Sequence, residues 1–192
     1  MIAEDVGTTA PGHFAIYSKN TGSYVEAMDI SGIGDLKLAG DLIIVNDKVY
    51  FTNWASQDVK VFNLFNYTIE TSISVDGLPE DIAYDGEYLW VTIPHSDAYF
   101  STGNTVCKID IQSNIVVESI DVGMGPQEIV INNDKVYVSR TFYDENWNTF
   151  HGATIIGDDI LINNYGSGMP CGGSIMKFQD NIYRSFDGGI SK

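Results

Sequence analysis

The chain has 192 residues, 10 Lys and Arg against 26 Asp and Glu, a net charge of −16 and 44% hydrophobic residues. This length suits one domain with a core of useful size; the acid excess excludes nucleic acid and anionic membrane surfaces as partners, because only Arg140 and Arg184 are arginines and no basic patch offsets the field. The apolar content excludes disorder, and no apolar run approaches the ~20 residues of a membrane span, so no membrane insertion is expected.

Ile and Val number 38, whereas Leu and Ala number 16. β-Branched residues lose rotamer freedom in helices and pack well on pleated surfaces, so the chain reads as all-β. The opening Met1-Ile2-Ala3-Glu4-Asp5 does not read as a secretion signal. Alternating runs then follow near 13–18 and 24–30, near 41–46 and 48–53, and near 59–63 and 69–75. Further runs lie near 81–85 and 88–93, 105–110 and 115–121, 128–132 and 135–141, 150–156 and 160–165, and 174–179 and 181–186. Short Asn, Asp and Gly turns separate them.

These runs repeat. Pro79 and Pro126, Ile82 and Ile129, and Trp90 and Tyr137 are each 47 residues apart. Repeat units cover approximately 13–53, 59–93, 105–141 and 150–186. Four short antiparallel strands per ~40–47 residues is the pattern of β-propeller blades. Numbered outward from the axis, the chain opens in a third strand and closes after a second. It therefore holds two strands, three full blades and two strands, which would close a four-bladed ring over residues 1–192. The rival expectation is a fragment of a larger propeller, since Gly189-Ile190-Ser191-Lys192 resembles the start of another third strand.

Val49-Tyr50-Phe51-Thr52-Asn53, followed by Asp58 to Asn63, resembles the YVTN repeat of surface-layer-type β-propellers. So does Asn104 to Asp110 with Val116 to Val122 and Gly125-Pro126. The resemblance implies an extracellular, cell-surface or periplasmic protein that binds a protein, carbohydrate or small molecule. The related streptogramin lyases use acidic and histidine residues with a divalent metal, which makes a metal-assisted lyase or hydrolase the alternative. Their catalytic motif has no residue-by-residue match here.

Strand direction alternates, so one face carries only short hairpin turns and the other carries the long loops. The loops near 93–104 and 141–151 hold the candidate ligand-binding residues His95, Asp97, Tyr99, Phe100, Tyr143, Glu145, Trp147 and His151, with Trp54 at the matching place one unit earlier. His95 and His151 are the only candidate acid–base catalysts, although a lone loop histidine is more often simply solvated. Asp41, Asp81 and Glu128 occupy equivalent positions, with Ser174 fourth. Around a common axis they could hold Ca²⁺ or Mg²⁺, or each could accept backbone hydrogen bonds. Cys107 and Cys171 read as two buried thiols, with a single bridge left open. Asn66-Tyr67-Thr68 fits a glycosylation acceptor, a weak signal.

Overall fold

The computed structural model describes residues 2–4, 13–29, 39–96, 102–167, 174–186 and 189–191. Every regular element among them is a strand. The first complete blade holds β4 (Ala39–Val45), β5 (Lys48–Asn53), β6 (Asp58–Asn63) and β7 (Thr68–Ser74). The second holds β8 (Ile82–Tyr84), β9 (Tyr88–His95), β10 (Thr102–Asp110) and β11 (Ile115–Asp121). The third holds β12 (Pro126–Asn132), β13 (Lys135–Tyr143), β14 (Thr149–Ile156) and β15 (Ile160–Ser167). All pairings are antiparallel. The innermost strands pack in succession, β4 on β8 and β8 on β12. The fold is the expected β-propeller of four-stranded antiparallel blades.

The ends differ from the strand count read from the sequence. β1 (Ile2–Glu4) pairs with β2 (His13–Tyr17), which pairs with β3 (Tyr24–Asp29). β16 (Ile175–Phe178), β17 (Asn181–Phe186) and β18 (Gly189–Ser191) form the other end sheet, with β16 beside β12. Each end therefore carries three strands where the closed-ring reading expected two, β18 falling where the rival reading placed the start of a third strand, and no ladder joins the two end sheets among the described residues. The extra strands, β1 and β18, span three residues each, too short to show alternation.

Burial explains the composition. A strand in the middle of a blade is covered on both faces by the neighbouring blades, so β5, β6 and β9 are buried almost end to end. The outer strands β7 and β11 are mostly exposed. Because side chains alternate, β9 serves two cores at once. Leu89, Val91 and Ile93 pack toward the first blade with Val59, Val61 and Ile73. Trp90 packs toward the third blade with Val106, Ile129, Val136 and Val138.

A repeated hydroxyl joins the blades. Thr52 and Thr92 stand two residues after Tyr50 and Trp90 in equivalent strands. Thr52 Oγ1 accepts from the Asp41 amide at 2.9 Å and donates to the Glu80 carbonyl of the next blade at 2.8 Å. Thr92 Oγ1 accepts from the Asp81 amide at 3.0 Å and donates to the Gln127 carbonyl at 2.6 Å. Ser139 repeats the first half, accepting from the Glu128 amide at 3.1 Å. A β-branched or small hydroxyl residue is needed here because both its partners are backbone groups buried between blades.

Candidate functional site

The loops between blades run beside the extended hairpins. The Leu78 amide donates to the His95 carbonyl and the Glu80 amide to the Thr92 carbonyl, each at 2.9 Å. One blade later the Gly125 amide donates to the Gly103 carbonyl at 2.9 Å, and the Thr141 amide to the Gly125 carbonyl at 2.8 Å. Gly125 has φ +68°, and a Cβ there would run into the Thr141 carbonyl oxygen. Only glycine lets the loop lie this close to β13.

The segments read as loops near 93–104 and 141–151 are largely strand. β9 runs on to His95, β10 starts at Thr102, β13 runs through Tyr143 and β14 starts at Thr149. The ladder pairs Thr141 with His151, Phe142 with Phe150 and Tyr143 with Thr149. Only residues 144–148 remain as the tip. Asp144 organises it: Oδ1 accepts from the Asn146 and Asn148 amides at 2.8 and 2.9 Å, and Oδ2 from Asn148 Nδ2 at 2.9 Å. These bonds from Asn148 and Asn146 hold the Asp144 carboxyl below the usual range.

The projecting hairpins and inter-blade loops enclose a cleft of about 710 Å³ on the long-loop face. The first blade contributes Trp54, and the second His95 and Pro94 with Glu80 from its entry loop. The third contributes Thr141 to Glu145 and Trp147. Five of the nine candidate ligand-binding residues, Trp54, His95, Tyr143, Glu145 and Trp147, thus meet in one cleft. Trp54 and His95 pack edge to face at 5.4 Å, and the Tyr143 and Trp147 rings lie 6.1 Å apart and 55° inclined. Trp147 is 66% exposed and holds φ +63°, a conformation that tryptophan rarely adopts.

No protein-family model matches the chain, and no curated protein matches it. Solved structures do. Hydrazine synthase of Kuenenia stuttgartiensis superposes with a TM-score of 0.68 at 13% identity, over 90% of this chain and 49% of that one. Dihydro-heme d1 dehydrogenase NirN, solved with DHE, gives 0.52 at 14% identity, over 82% of this chain and 34% of that one. The computationally designed Ika4 protein gives 0.59 at 9% identity, over 82% of this chain and 91% of that one. These likenesses show the propeller fold alone. The chain spans about half of the hydrazine synthase chain and about a third of the NirN chain. Enzymes stand among the neighbours, and a binding or interaction module is equally compatible with the fold.

One candidate site residue sits elsewhere than expected. His151 is buried within β14, with Nδ1 3.4 Å from Thr141 Oγ1, and does not line the cleft. It pairs with Thr141, one step further from the hairpin tip than the Tyr143–Thr149 pair on the same face. Asp97, Tyr99 and Phe100 lie outside the described residues, as does Cys171; Cys107 is a buried free thiol.

Asp41 and Glu128 lie near the starts of the inner strands and Asp81 just before one, and for Asp81 and Glu128 the second of the two readings, acceptance of backbone hydrogen bonds, is what the structure displays. Among the described residues no group of three or more His, Cys, Asp or Glu side chains is placed to hold a metal ion. Asp81 reaches sideways instead: Oδ2 accepts from the Ile129 amide of the next blade at 2.7 Å, and Oδ1 from the Ile82 amide at 2.9 Å. Glu128 does likewise one blade on, accepting from the Ile175 amide at 3.0 Å and from Ser174 Oγ at 2.9 Å. These bonds tie Asp81 and Glu128 to the inner strand of the next blade. Burial, and then a hydrogen bond to the Asp41 carboxyl, push Asp81 up to about 8.

Sequence reading missed three features. Glu80 lines the cleft, and burial holds its carboxyl above the usual range; the Trp54 indole opposes that shift and the Glu128 charge adds to it. Its place just before a repeat carboxylate was the available signal. Both arginines are buried: Arg140 Nη2 donates to the Asn163 carbonyl at 3.0 Å, and Arg184 Nη2 to the Arg140 carbonyl at 3.0 Å. A second cleft, about 850 Å³, opens on the short-turn face between Tyr88, Trp90, Lys108 and Lys135. There Asp85 is committed to its turn, accepting from the Glu87 and Tyr88 amides and from Trp90 Nε1.

Proposed function

We infer that the protein is a non-enzymatic binding module whose working surface is the long-loop face. One observation carries this: aromatic and carboxylate residues from three blades converge in a single cleft, Trp54 from the first, His95 and Glu80 from the second, and Tyr143, Glu145 and Trp147 from the third. A cleft of this volume falls in the range of small-ligand sites, ~300–1,000 Å³, and mixes apolar walls with a few polar groups. An exposed tryptophan held at positive φ at a hairpin tip is a costly feature, which supports recognition. The ligand class is a neutral or cationic small molecule, a carbohydrate or a protein segment. The surface-layer resemblance of Val49 to Asn53 supports an extracytoplasmic setting, and the net charge of −16 suits a protein kept soluble there.

Substitution tests the reading. Trp147→Ala and Tyr143→Ala should abolish retention of any ligand found on glycan, peptide and metabolite panels, with an unchanged melting temperature. Retention that survives both substitutions places the working surface elsewhere.

The alternative, a metal-assisted lyase or hydrolase, is favoured by His95 and a half-buried Glu80 in the same cleft. It lacks a third metal ligand beside them among the described residues, and His151 is not at the surface.

A further inference from the structure

The cleft has a one-sided chemistry. Its walls carry the rings of Trp54, Phe142, Tyr143 and Trp147, and its charged residues are Glu80, Asp144 and Glu145. Among the described residues no lysine or arginine lines it. The nearest arginine, Arg140, lies beneath Phe142 with its guanidinium 5.7 Å from that ring, and is turned to the Asn163 carbonyl and Asn164 Oδ1. Asp144 is consumed by the hairpin tip. Glu80 and Glu145 are left as the carboxylates available to a ligand.

An anion would meet these carboxylates with no counter-charge. A neutral sugar would gain from ring stacking and from Gln127 and the threonines, but nothing from the carboxylate excess. A cation with an apolar surface satisfies both halves of the cleft. Aromatic faces attract it through their quadrupole, by about 0.5–1 kcal/mol where exposed and ~2 where desolvated. The inclined Tyr143 and Trp147 rings form one corner, and the Trp54–His95 pair stands on the wall from the other blades. The whole-chain charge of −16 further concentrates cations at the surface.

We propose that the cleft takes an alkylated ammonium group, seated among the rings of Trp54, Tyr143 and Trp147 with Glu80 and Glu145 as counter-charges. This rests on the reading of the cleft as a binding site. Alkylation matters because a bare ammonium is strongly hydrated, whereas a quaternary one sheds its water cheaply and offers apolar surface to the rings. The strained backbone at Trp147 fits this role, since it fixes the ring at the cleft edge before any ligand arrives.

The test is calorimetric titration of the full chain with four probes. Choline and its uncharged carbon isostere, 3,3-dimethylbutan-1-ol, share a shape and differ in charge. A short trimethyllysine peptide and its unmethylated twin separate a protein-borne source from a free one. Choline or the methylated peptide should bind at least about tenfold more tightly than its control, the scale of one desolvated cation–π contact. Glu80→Gln should weaken binding by about tenfold and Trp147→Ala by more. Tighter choline binding identifies a free small ligand, and tighter peptide binding a methylated protein; either supports the proposal. If the isostere matches choline and loses binding in Trp147→Ala, the charge preference is overturned while the binding reading stands. If neither cationic probe binds, the proposal is overturned, and the panel test with Tyr143→Ala judges the binding reading by itself. Should Trp147→Ala fail to fold, Glu145→Gln supplies the same contrast.

Discussion

Replacing Asp81 by asparagine should flatten the dependence of stability on pH. In the folded protein, burial first and the Asp41 carboxyl second raise the Asp81 carboxyl from 3.8 to about 8. The unfolded chain releases this proton near 3.8. Between these values the folded state holds a proton that the unfolded state has lost, so stability falls as pH rises across the window. The contribution is fully present below 3.8 and lost as pH passes about 8. The gap between 3.8 and about 8, at ~1.4 kcal/mol per pH unit, bounds the loss at about 6 kcal/mol. Asp81 retains partial solvent access, and screening there brings the expected loss to about 2–3 kcal/mol. Asparagine mimics the protonated acid, because its Nδ2 can donate to Asp41 while Oδ1 accepts from the Ile129 amide. Urea unfolding at fixed ionic strength, from pH 4 to 9, reads the difference and cancels the background of other carboxylates. Asp81→Asn should match the parent within about 1 kcal/mol at pH 4 and exceed it by about 2 kcal/mol at pH 9. Parallel stability profiles for the two proteins would refute the raised, shared proton.

Other consequences follow from the same contacts. Thr92→Val leaves the Asp81 amide and the Gln127 carbonyl without their shared hydroxyl and should cost about 1–3 kcal/mol in chemical denaturation. Gly125→Ala sets a methyl group against the Thr141 carbonyl at φ +68°; a melting temperature lowered by several degrees is expected, and ligand retention should fall with it because the loop bounds the cleft. Trp147→Asn puts a residue tolerant of φ +63° at the hairpin tip, so stability should rise by about 1 kcal/mol while binding is lost. A fall in stability on that substitution would show that the indole is there for packing.

Much of the fold was legible because a propeller repeats its physics. The 47-residue offset of Pro79 and Pro126 marks equivalent loops, and the apolar runs at 49–52 and 89–93 mark strands covered on both faces. The long-loop face was legible for a related reason: Tyr143, Glu145 and Trp147 interrupt the hairpin at the place where the short turns of the other face use Asn, Asp and Gly. Other features were hidden. Equivalent positions for Asp41, Asp81 and Glu128 say that their environments match, but not where the side chains point; the register turns Asp81 and Glu128 toward the next blade's amides. His151 looked like a loop residue because hairpin extension leaves no mark in a segment rich in polar residues. Glu80 escaped notice because its burial comes from Trp54 and the third blade, contacts distant in sequence. The end strand β1 depends on pairing rather than on any pattern of its own, whereas β18 lies where Gly189 to Lys192 resembles the start of a third strand.

The three tryptophans give the most direct test of the binding surface. Trp54 and Trp147 line the cleft, whereas Trp90 lines the opposite face and donates its indole proton to Asp85 at 2.7 Å. Two-dimensional spectra of ¹⁵N-labelled protein show one indole signal for each. Addition of choline or the trimethyllysine peptide should shift the Trp54 and Trp147 signals together and leave Trp90 in place. A shift confined to Trp90, or no indole shift under conditions where calorimetry detects binding, would contradict the assignment of the long-loop cleft as the working surface.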